Sequence, residues 1–292
     1  MTIGFTDIHC HGGGGFSFSD PDPGNIQRAI EVHRAHGTTT QVASLVTEPI
    51  EKLKSQIRKL LPFVDSGALA GIHLEGPYLS EAKCGAHDPR LLRLPEIAEI
   101  GSLLEVADGK IKMVTIAPEL PGAVTAIRFF KNHGITVAIG HSNATYEEAE
   151  AAIDAGATVV THMFNALPAL DHRSANISNA VISHPDLYFE LILDGIHVNH
   201  SAVKLLLTVA PERIILITDA MAAAGSDDGF YTIGELDVQV TGGKATLISN
   251  GSLAGSTLTM DSAYTRLVTE FGVTEATAIN ATKDLGRKVL GI

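Results

Sequence analysis

Eight short apolar, β-branched segments alternate with helical stretches along this chain, and this alternation predicts an α/β fold of the (β/α)8 TIM-type barrel class. A second observation points the same way, because six metal-ligating side chains follow five of these segments, where the strands of such a barrel end. The length of 292 residues fits one barrel or two smaller domains. The repeated alternation favours a single domain over 1–292.

The predicted strands are rich in β-branched residues, as expected of parallel strands that are buried on both faces. They lie near 3–9, 38–44, 68–75, 111–116, 135–140, 157–162, 187–193 and 213–218. Between the strands, the pattern of residues 24–37 predicts a helix that starts after a proline-rich turn and stops at a glycine. The segment 142–156 predicts another helix, with acidic residues in its first turn and a closing glycine.

Two segments interrupt the alternation. Residues 76–94 form a long loop after the third strand, and loops of that length in a compact domain are usually functional. Residues 227–257 contain DVQV and ATLIS joined by a TGGK turn, which predicts a β-hairpin inserted after the eighth strand. This hairpin leads into the loop SLAGST.

Side chains that bind transition metals follow the predicted strands at their carboxyl ends. They are His9, His11, Glu75, His141, His162 and Asp219. His9 and His11 are two residues apart on a strand, so both project to the same face and can hold one ion together. Imidazole and carboxylate suit zinc or a similar divalent ion. A lone histidine is more often structural, but six candidates at five strand ends predict a hydrolytic metal centre.

The other histidines and the cysteines are given structural or surface roles. Two histidines without matching context are set aside as structural, namely His73 and His184. Four in polar or helical settings are predicted to be solvated, namely His33, His36, His133 and His200. Cys10 and Cys84 form no CxxC pair and no disulfide framework, which suits a reducing compartment. Cys10 alternates with two histidines on a strand, so it points away from them and is predicted to be buried.

The composition excludes several classes of function. The net charge is −12, with no basic stripe and no array of tryptophan or tyrosine, which argues against nucleic acid as a partner. No apolar run reaches the ~18 to 20 residues that a membrane span needs, and no charged and apolar leader follows Met1. We therefore expect a cytoplasmic protein that acts on a small molecule and does not bind a membrane.

Longer motifs around these residues are more specific than the single ligands. In chain order they are HLEGPYL, KCGAHDP, GHSNAT, THMFNALPAL, LDGIHV, TDAM and LAGSTLTM. Through them the chain resembles the amidohydrolase superfamily and, within it, the family of N-acetylglucosamine-6-phosphate deacetylases, across essentially its whole length. That family normally carries a small β-sandwich, built before the first barrel strand and after the last helices. This sequence begins at MTIGFTDIH and ends at GRKVLGI, so we expect the sandwich to be largely missing.

The resemblance implies a divalent metal cofactor. Glu75, His141 and His162 would hold the principal ion, which activates water. His9 and His11 would form a second site, because family members that keep this pair can bind two ions, with Glu75 bridging them. The ions would be zinc or iron, one or two per subunit, and the sequence does not choose between them.

The resemblance also implies the catalytic groups. The reaction would be hydrolysis of the N-acetyl group of N-acetylglucosamine 6-phosphate, in amino-sugar catabolism. Asp219 would take a proton from water and return it to the leaving nitrogen; its structural alternative is a helix N-cap. His87, in the long loop, would help to polarise the acetyl oxygen, and its alternative is a solvated loop residue.

For the substrate, the resemblance implies a phosphate site and a set of sugar contacts. Because the net charge is −12, local donors must offset the repulsion of an anion. The backbone N–H groups of Asn165 and Ala166 and the guanidinium of Arg173 would bind the phosphate, although Arg173 alone could be a surface ion-pair residue. The remaining contacts would come from Ala86, His87, Asp194, Gly195, Ile196, His197, Leu253, Ala254 and Gly255.

Three functions of different classes stay open on the sequence alone. The favoured one is the deacetylase named above, acting as a homodimer because family members are typically dimers. The second is another amidohydrolase reaction, such as deacetylation of N-acetylgalactosamine 6-phosphate or hydrolysis of a cyclic amide. The third is a sugar-phosphate binding protein without activity, against which Asp219 argues, since binding alone needs no general base.

Overall fold

The computed structural model describes residues 3–292 and shows eight parallel strands arranged as a barrel, with helices packed around them. Strands β1 to β8 are Phe5–Cys10, Thr38–Leu45, Gly71–Glu75, Ile111–Ile116, Thr136–Ile139, Ala157–Val160, Tyr188–Ile192 and Ile214–Ile217. Their order in the sheet follows the order in the chain, and almost all of their residues are buried. The predicted fold class and all eight predicted strands are confirmed.

The barrel closes where β8 returns beside β1. The backbone N–H of Asp219 donates to the carbonyl oxygen of His9 at 2.9 Å, and the N–H of His11 donates to that of Ala220 at 2.8 Å. These two bonds lie just beyond the end of β8, at the carboxyl end of the barrel. Closure therefore places the first and the last ligand-bearing strands side by side.

Within residues 3–292, ten α-helices surround or flank the barrel. Helices α1 to α10 are Pro23–Ala35, Ile50–Asp65, Ile97–Ala107, Ala123–Asn132, Tyr146–Ala155, Ile177–Ser183, His200–Val209, Met260–Phe271, Glu275–Ile279 and Leu285–Leu290. A π-helical turn at Asn280–Asp284 joins the last two. Helices α1 and α5 confirm the two predicted helices. None of the helices described is long and apolar enough to cross a membrane.

The buried face of α1 corrects one prediction. Its buried positions have the spacing of one helix face, and they are Ile26, Ala29, Ile30 and His33. The Nε2 atom of His33 lies 2.9 Å from the carbonyl oxygen of Gly12 and 3.3 Å from the Sγ atom of Cys10. The prediction that His33 is solvated was wrong because this position continues the inward-facing stripe. Cys10 is buried and Cys84 half-buried, and both are free thiols.

Two of the three other histidines predicted to be solvated, His133 and His200, are exposed, whereas His36 is half-buried and bonds to a surface aspartate. His73 is fully buried, and its two ring nitrogens each lie 2.9 Å from a hydroxyl oxygen, one of Ser44 and one of Thr115. Its hydrogen bonds are thus satisfied within the core.

The segment after β8 forms a three-stranded antiparallel sheet rather than a hairpin alone. Its strands are β9 (Gly229–Ile233), β10 (Leu236–Thr241) and β11 (Lys244–Leu247). The turn between β10 and β11 is the predicted one, and its two glycines have positive φ. Strand β9, GFYTI, was not predicted, and only one of its five residues is buried. The inner side of this sheet packs in a second apolar cluster beside the barrel mouth.

Two further local features lie near the carboxyl end of the barrel. Residues Gly12–Gly13 and Phe16–Ser17 form a two-stranded hairpin directly after β1. The long loop after β3 contains two short 3-10 helices, Glu81–Lys83 and Pro89–Leu91. The loop therefore has structure of its own and can present fixed groups to the barrel mouth.

Replacing Thr145 by alanine should destabilise the protein by about 1 kcal/mol. The Oγ1 atom of Thr145 accepts from the N–H of Glu148 at 3.2 Å, and the Glu148 carboxylate accepts from the N–H of Thr145 at 2.9 Å. This capping box satisfies two donors at the start of α5. Denaturant unfolding measures the decrease in the free energy of unfolding.

Thr208→Ala is the matched control, since Thr208 is also exposed but lies inside α7, where its hydroxyl donates to the carbonyl oxygen of Lys204. Alanine has the higher helix propensity, so this variant should be as stable as the parent or slightly more so. Equal unfolding midpoints for the two variants would contradict the role of the cap.

Candidate metal centre

The predicted ligands meet at the mouth of the barrel, around the carboxylate of Glu75. Its Oε1 atom lies 3.0 Å from Nε2 of His141, 3.1 Å from Nε2 of His162 and 3.5 Å from Nε2 of His9. Its Oε2 atom lies 3.2 Å from Nε2 of His11. The structure therefore brings together side chains from four strand ends at one carboxylate.

Asp219 completes the group from the end of β8. Its Oδ1 atom lies 3.3 Å from Nε2 of His11 and 3.6 Å from Nε2 of His9. Asp219, His141 and His162 all have positive φ, at 47°, 46° and 27°. Such a backbone is uncommon for residues other than glycine and clusters at functional sites. It turns the chain at three strand ends, where these side chains face the shared centre.

The outer nitrogens of two histidines show what their inner nitrogens can bind. Nδ1 of His141 lies 2.9 Å from the carbonyl oxygen of Lys83, and Nδ1 of His162 lies 3.1 Å from that of Asn165. Because a carbonyl oxygen only accepts, each Nδ1 carries the hydrogen, and each neutral ring has a lone pair on Nε2.

These two Nε2 atoms are 3.0 Å apart, and both face the carboxylate of Glu75. Three electron-pair donors thus converge with no hydrogen between them in the neutral rings. A divalent cation satisfies such a set, and ligating histidines commonly donate their other N–H to a carbonyl or a carboxylate. The residues present therefore fit a metal ion.

The β1 side of the centre is built in the same way. Nδ1 of His9 lies 2.9 Å from Oε2 of Glu190, so it donates there and leaves Nε2 free. That Nε2 lies 3.2 Å from Nε2 of His11. Three possible ligand atoms lie within 4.8 Å of one another, one each from His9, His11 and Asp219. A single ion can therefore contact all three. The residues thus fit a second ion.

The electrostatics of the centre favour positive charge. Burial would raise the pKa of Glu75, but the charge of a protonated His9 and the Nε2 atoms of His11 and His141 beside the carboxylate hold that pKa well below its usual range. Burial lowers the pKa of His141 to about 4, which keeps this ring neutral. Burial also opposes a proton on His11, yet the hydrogen bonds and charges of Asp219 and Glu75 raise its pKa to about 9.

Nδ1 of His87 accepts hydrogen bonds, whereas Nδ1 of the proposed ligands His141 and His162 donates them. The Nδ1 atom of His87 lies 3.2 Å from the backbone N–H donor of Thr47 and 2.9 Å from the hydroxyl of the same residue. A backbone N–H can only donate, so Nδ1 accepts and Nε2 carries the hydrogen. Nε2 lies 3.4 Å from Oε2 of Glu75. His87 therefore presents an N–H donor beside the centre.

A cavity of about 370 Å³ opens at the metal centre, and its size suits a small molecule. Seven of the predicted substrate residues line it, namely Ala86, His87, Asn165, Ala166, His197, Leu253 and Gly255. Ile233 of strand β9 and Ser252 also line the wall, so the small sheet and the loop after it close one side of the cavity.

Comparison with known proteins identifies the family. The model of the amidohydrolase family matches residues 1–279. The chain belongs to the amidohydrolase family. An N-acetylgalactosamine-6-phosphate deacetylase from Escherichia coli O157:H7 is 38% identical, over 99% of this chain and 77% of its own length. An N-acetylglucosamine-6-phosphate deacetylase from Vibrio furnissii is 36% identical, over 88% of this chain and 65% of its own length.

A solved structure shares the fold of this amidohydrolase. It is a mutant of N-acetyl-D-glucosamine-6-phosphate deacetylase from Mycobacterium smegmatis in complex with N-acetyl-D-glucosamine-6-phosphate. Its sequence is 43% identical, and its TM-score is 0.96 over 99% of this chain and 77% of that one. The fold assignment and the predicted family are thereby confirmed.

Five of the predicted substrate residues lie outside the cavity wall of this amidohydrolase, namely Arg173, Asp194, Gly195, Ile196 and Ala254. Arg173 is exposed on the loop after β6. Asp194 acts through a neighbour, because its Oδ2 atom lies 2.6 Å from Nδ1 of His197, which does line the wall. Ala254 is fully buried between two wall residues.

The two backbone N–H groups predicted to bind the phosphate differ in whether they already have an acceptor. The backbone N–H of Asn165 already donates to the carbonyl oxygen of His162 at 2.9 Å. The N–H of Ala166 has no acceptor within residues 3–292, and this residue has a positive φ of 51°. Only the second N–H is therefore free for a ligand.

Three residues that the sequence analysis did not select contribute to the site. Lys83 lines the cavity, and its ammonium donates to the carbonyl oxygen of Leu167 at 3.2 Å, close to Ala166. Thr47 orients His87, and Glu190 orients His9. The sequence does contain a signal for two of them. Lys83 begins the motif KCGAHDP, and Glu190 is a charged residue inside the apolar strand YFELI.

Metal affinity on the His11 side should fall when the pH is lowered from about 8 to about 6. A metal binds only the deprotonated ring, and the pKa of His11 is raised to about 9, so a proton competes with the metal throughout this range. One competing proton lowers the apparent affinity about tenfold per pH unit. Zinc titration against a chelator, corrected for the chelator's own protonation, measures this, and an affinity independent of pH for every bound ion would contradict it.

Proposed function

We propose that this chain hydrolyses the N-acetyl group of N-acetylglucosamine 6-phosphate to glucosamine 6-phosphate and acetate, in amino-sugar catabolism. The observation that carries the proposal is the convergence of imidazole lone pairs on Glu75, beside a carboxylate and an N–H donor at one cavity. Relatives named for this reaction match the chain, and one solved relative holds this substrate. We further propose a single hydrolase domain over residues 1–292, acting as a homodimer in the cytoplasm.

The cofactor in this proposal is zinc or iron. Glu75, His141 and His162 hold the principal ion, and His9 and His11 hold a second one. A bound divalent ion supplies Lewis acidity, which makes water a nucleophile near neutral pH and polarises an amide carbonyl. The choice of these five residues rests on their distances from one another and on the hydrogens that their outer nitrogens carry.

Asp219 moves the proton in this scheme. Burial would raise its pKa, but the charge of His9 and the hydrogen bond from His11 lower it, so the carboxylate is ionised at neutral pH. It accepts a proton from the attacking water and then returns a proton to the nitrogen that leaves. An amide nitrogen leaves readily only when it is protonated, so one carboxylate serves both steps.

Two further histidines orient the substrate. His87 donates from Nε2 to the acetyl oxygen and so stabilises the negative charge that develops there as water adds to the carbonyl carbon. His197 donates from Nδ1 to Asp194, which leaves Nε2 as an acceptor for a hydroxyl of the sugar. Leu253 and Gly255 close the apolar side of the cavity.

For the phosphate we propose two donors at one part of the wall. They are the free backbone N–H of Ala166 and the ammonium of Lys83, whose bond to Leu167 places it near that N–H. Charge-assisted hydrogen bonds are about twice as strong as neutral ones, which offsets the repulsion of an anion by a protein of net charge −12. Arg173, on the exposed loop, supplies a more distant attraction.

The purified, metal-loaded protein should release free amine from N-acetylglucosamine 6-phosphate. N-acetylgalactosamine 6-phosphate is assayed in parallel, because one relative is named for that epimer. A higher kcat/KM for the galactosamine epimer would correct the substrate but keep the reaction. No amine from either sugar, with metal bound, would refute the deacetylase and favour a sugar-phosphate binding protein.

In the same assay, Asp219→Asn should lower kcat by a factor on the order of 10² or more, while the ion proposed at Glu75, His141 and His162 stays bound. The amide cannot take the proton but occupies the same volume. Asp186→Asn is the control, because this exposed aspartate does not line the cavity, and it should keep full turnover. Unchanged turnover in Asp219→Asn would remove this residue from the mechanism.

Lys83→Met should lower kcat/KM for the 6-phosphate about tenfold to hundredfold and narrow its advantage over unphosphorylated N-acetylglucosamine. Methionine keeps much of the apolar stem and removes the charge. Arg173→Ala is measured beside it and should have the smaller effect, because Arg173 lies outside the wall. If the phosphate preference survives in Lys83→Met and is lost in Arg173→Ala, the exposed arginine binds the phosphate instead.

A further inference from the structure

Glu190 is a fully buried carboxylate that none of the roles above uses for chemistry. It lies in the middle of β7, in a strand that is otherwise formed by apolar residues and one tyrosine. A carboxylate is rarely buried in such a place unless partners compensate for the loss of water. The identity of its partners therefore indicates what it does.

Both hydrogen bonds accepted by the Glu190 side chain come from residues of the metal centre. Its Oε2 atom accepts from Nδ1 of His9 at 2.9 Å and from the backbone N–H of His162 at 3.2 Å. Its Oε1 atom has no hydrogen-bond partner within residues 3–292. His9 lies on β1 and His162 follows β6, so one oxygen atom links the two sides of the centre.

The bond to His9 determines which nitrogen of that ring can hold a metal. If the hydrogen of neutral His9 sat on Nε2, it would point at Nε2 of His11, 3.2 Å away, and no lone pair would be available. An acceptor at Nδ1 keeps the hydrogen on the far side of the ring. His11 has no such support, since its own Nδ1 is buried without a partner in the described residues.

The group that accepts the hydrogen bond from Nδ1 differs between His9 and the two histidines on the other side of the centre. His141 and His162 donate from Nδ1 to carbonyl oxygens, which are neutral, whereas His9 donates to a carboxylate. A carboxylate acceptor raises the basicity of the opposite nitrogen more than a neutral acceptor does. Glu190 therefore strengthens the β1 side of the centre selectively.

The formal charges support the same conclusion. Two divalent ions would bring four positive charges, and Glu75 and Asp219 together supply two negative ones. These two carboxylates balance one ion, but a second ion needs further negative charge nearby. Glu190 supplies a third carboxylate at hydrogen-bond distance from a ligand of that second ion.

We propose that Glu190 is a positioning residue that makes the His9–His11 side of the centre bind a second metal ion. The inference rests on the metal centre proposed above, and it concerns the number of ions rather than the substrate. It adds a function to a residue that touches neither the cavity nor the substrate site.

Two variants separate the charge of Glu190 from its hydrogen bonds. Glu190→Gln keeps an oxygen that can accept from His9 and His162 but has no charge, and Glu190→Leu removes the acceptor as well. Zinc per chain is measured by elemental analysis, and the affinity for each ion by competition with a chelator. The glutamine variant should bind the second ion about tenfold to hundredfold more weakly, with the first ion nearly unaffected. The leucine variant should hold one ion.

Glu48→Gln is the matched control, because Glu48 is also buried, at 2% exposure, but pairs with Lys52 and bonds to none of the proposed metal ligands. It should keep both ions at full affinity. The absorption of the cobalt-substituted protein gives a second readout that needs no substrate, and the contribution of one cobalt ion should be lost in Glu190→Leu. If the leucine variant does not fold, the glutamine variant decides alone.

Several results would overturn the inference. One is that the parent protein binds only one ion. Another is that the glutamine variant binds both ions with unchanged affinity. A third is that the variants lose affinity for both ions equally. Equal losses would mean that Glu190 supports the whole barrel mouth rather than one ion. Metal binding is measured without sugar, so a chain that binds two ions but releases no amine would refute the proposed reaction and leave this inference intact.

Discussion

The carboxylate of Glu75 lies between 3.0 and 3.5 Å from the Nε2 atoms of five histidines, and the arrangement of the barrel mouth depends on that contact. A buried carboxylate is stable only where partners replace its water. Each of the surrounding segments must therefore bring a ring to the same point. The pairing of β1 with β8 and the turned ends of β5 and β6 are the backbone arrangements that achieve this.

Histidines in this centre have different chemistry because their outer contacts differ. A carbonyl or carboxylate next to Nδ1 leaves a lone pair on Nε2, as in His9, His141 and His162. The N–H of Thr47 next to Nδ1 leaves a hydrogen on Nε2, as in His87. The same residue type thus offers a lone pair that suits a metal in one place and donates a hydrogen bond in another. The outer contact decides between the two roles.

The sequence predicted the barrel and the convergence of the candidate ligands because both depend on local patterns. An apolar run that ends in histidine, aspartate or glutamate marks a strand and its functional end together. Glu190 was not predicted because its role depends on a contact with His9, which is 181 positions away in the chain. His33 was misassigned for a related reason, since only the packing of α1 shows that its position faces inward.

The left-handed backbone at His141, His162 and Asp219 matters for anyone who wishes to transfer this centre to another protein. Each such residue costs of the order of 1–3 kcal/mol, and a stable scaffold has about 5–15 kcal/mol in total. Copying the side chains onto regular strand ends would aim them in other directions. Copying the turns as well would consume much of the stability of the host. A successful graft therefore needs a barrel with stability to spare, and the choice of host comes before the choice of ligands.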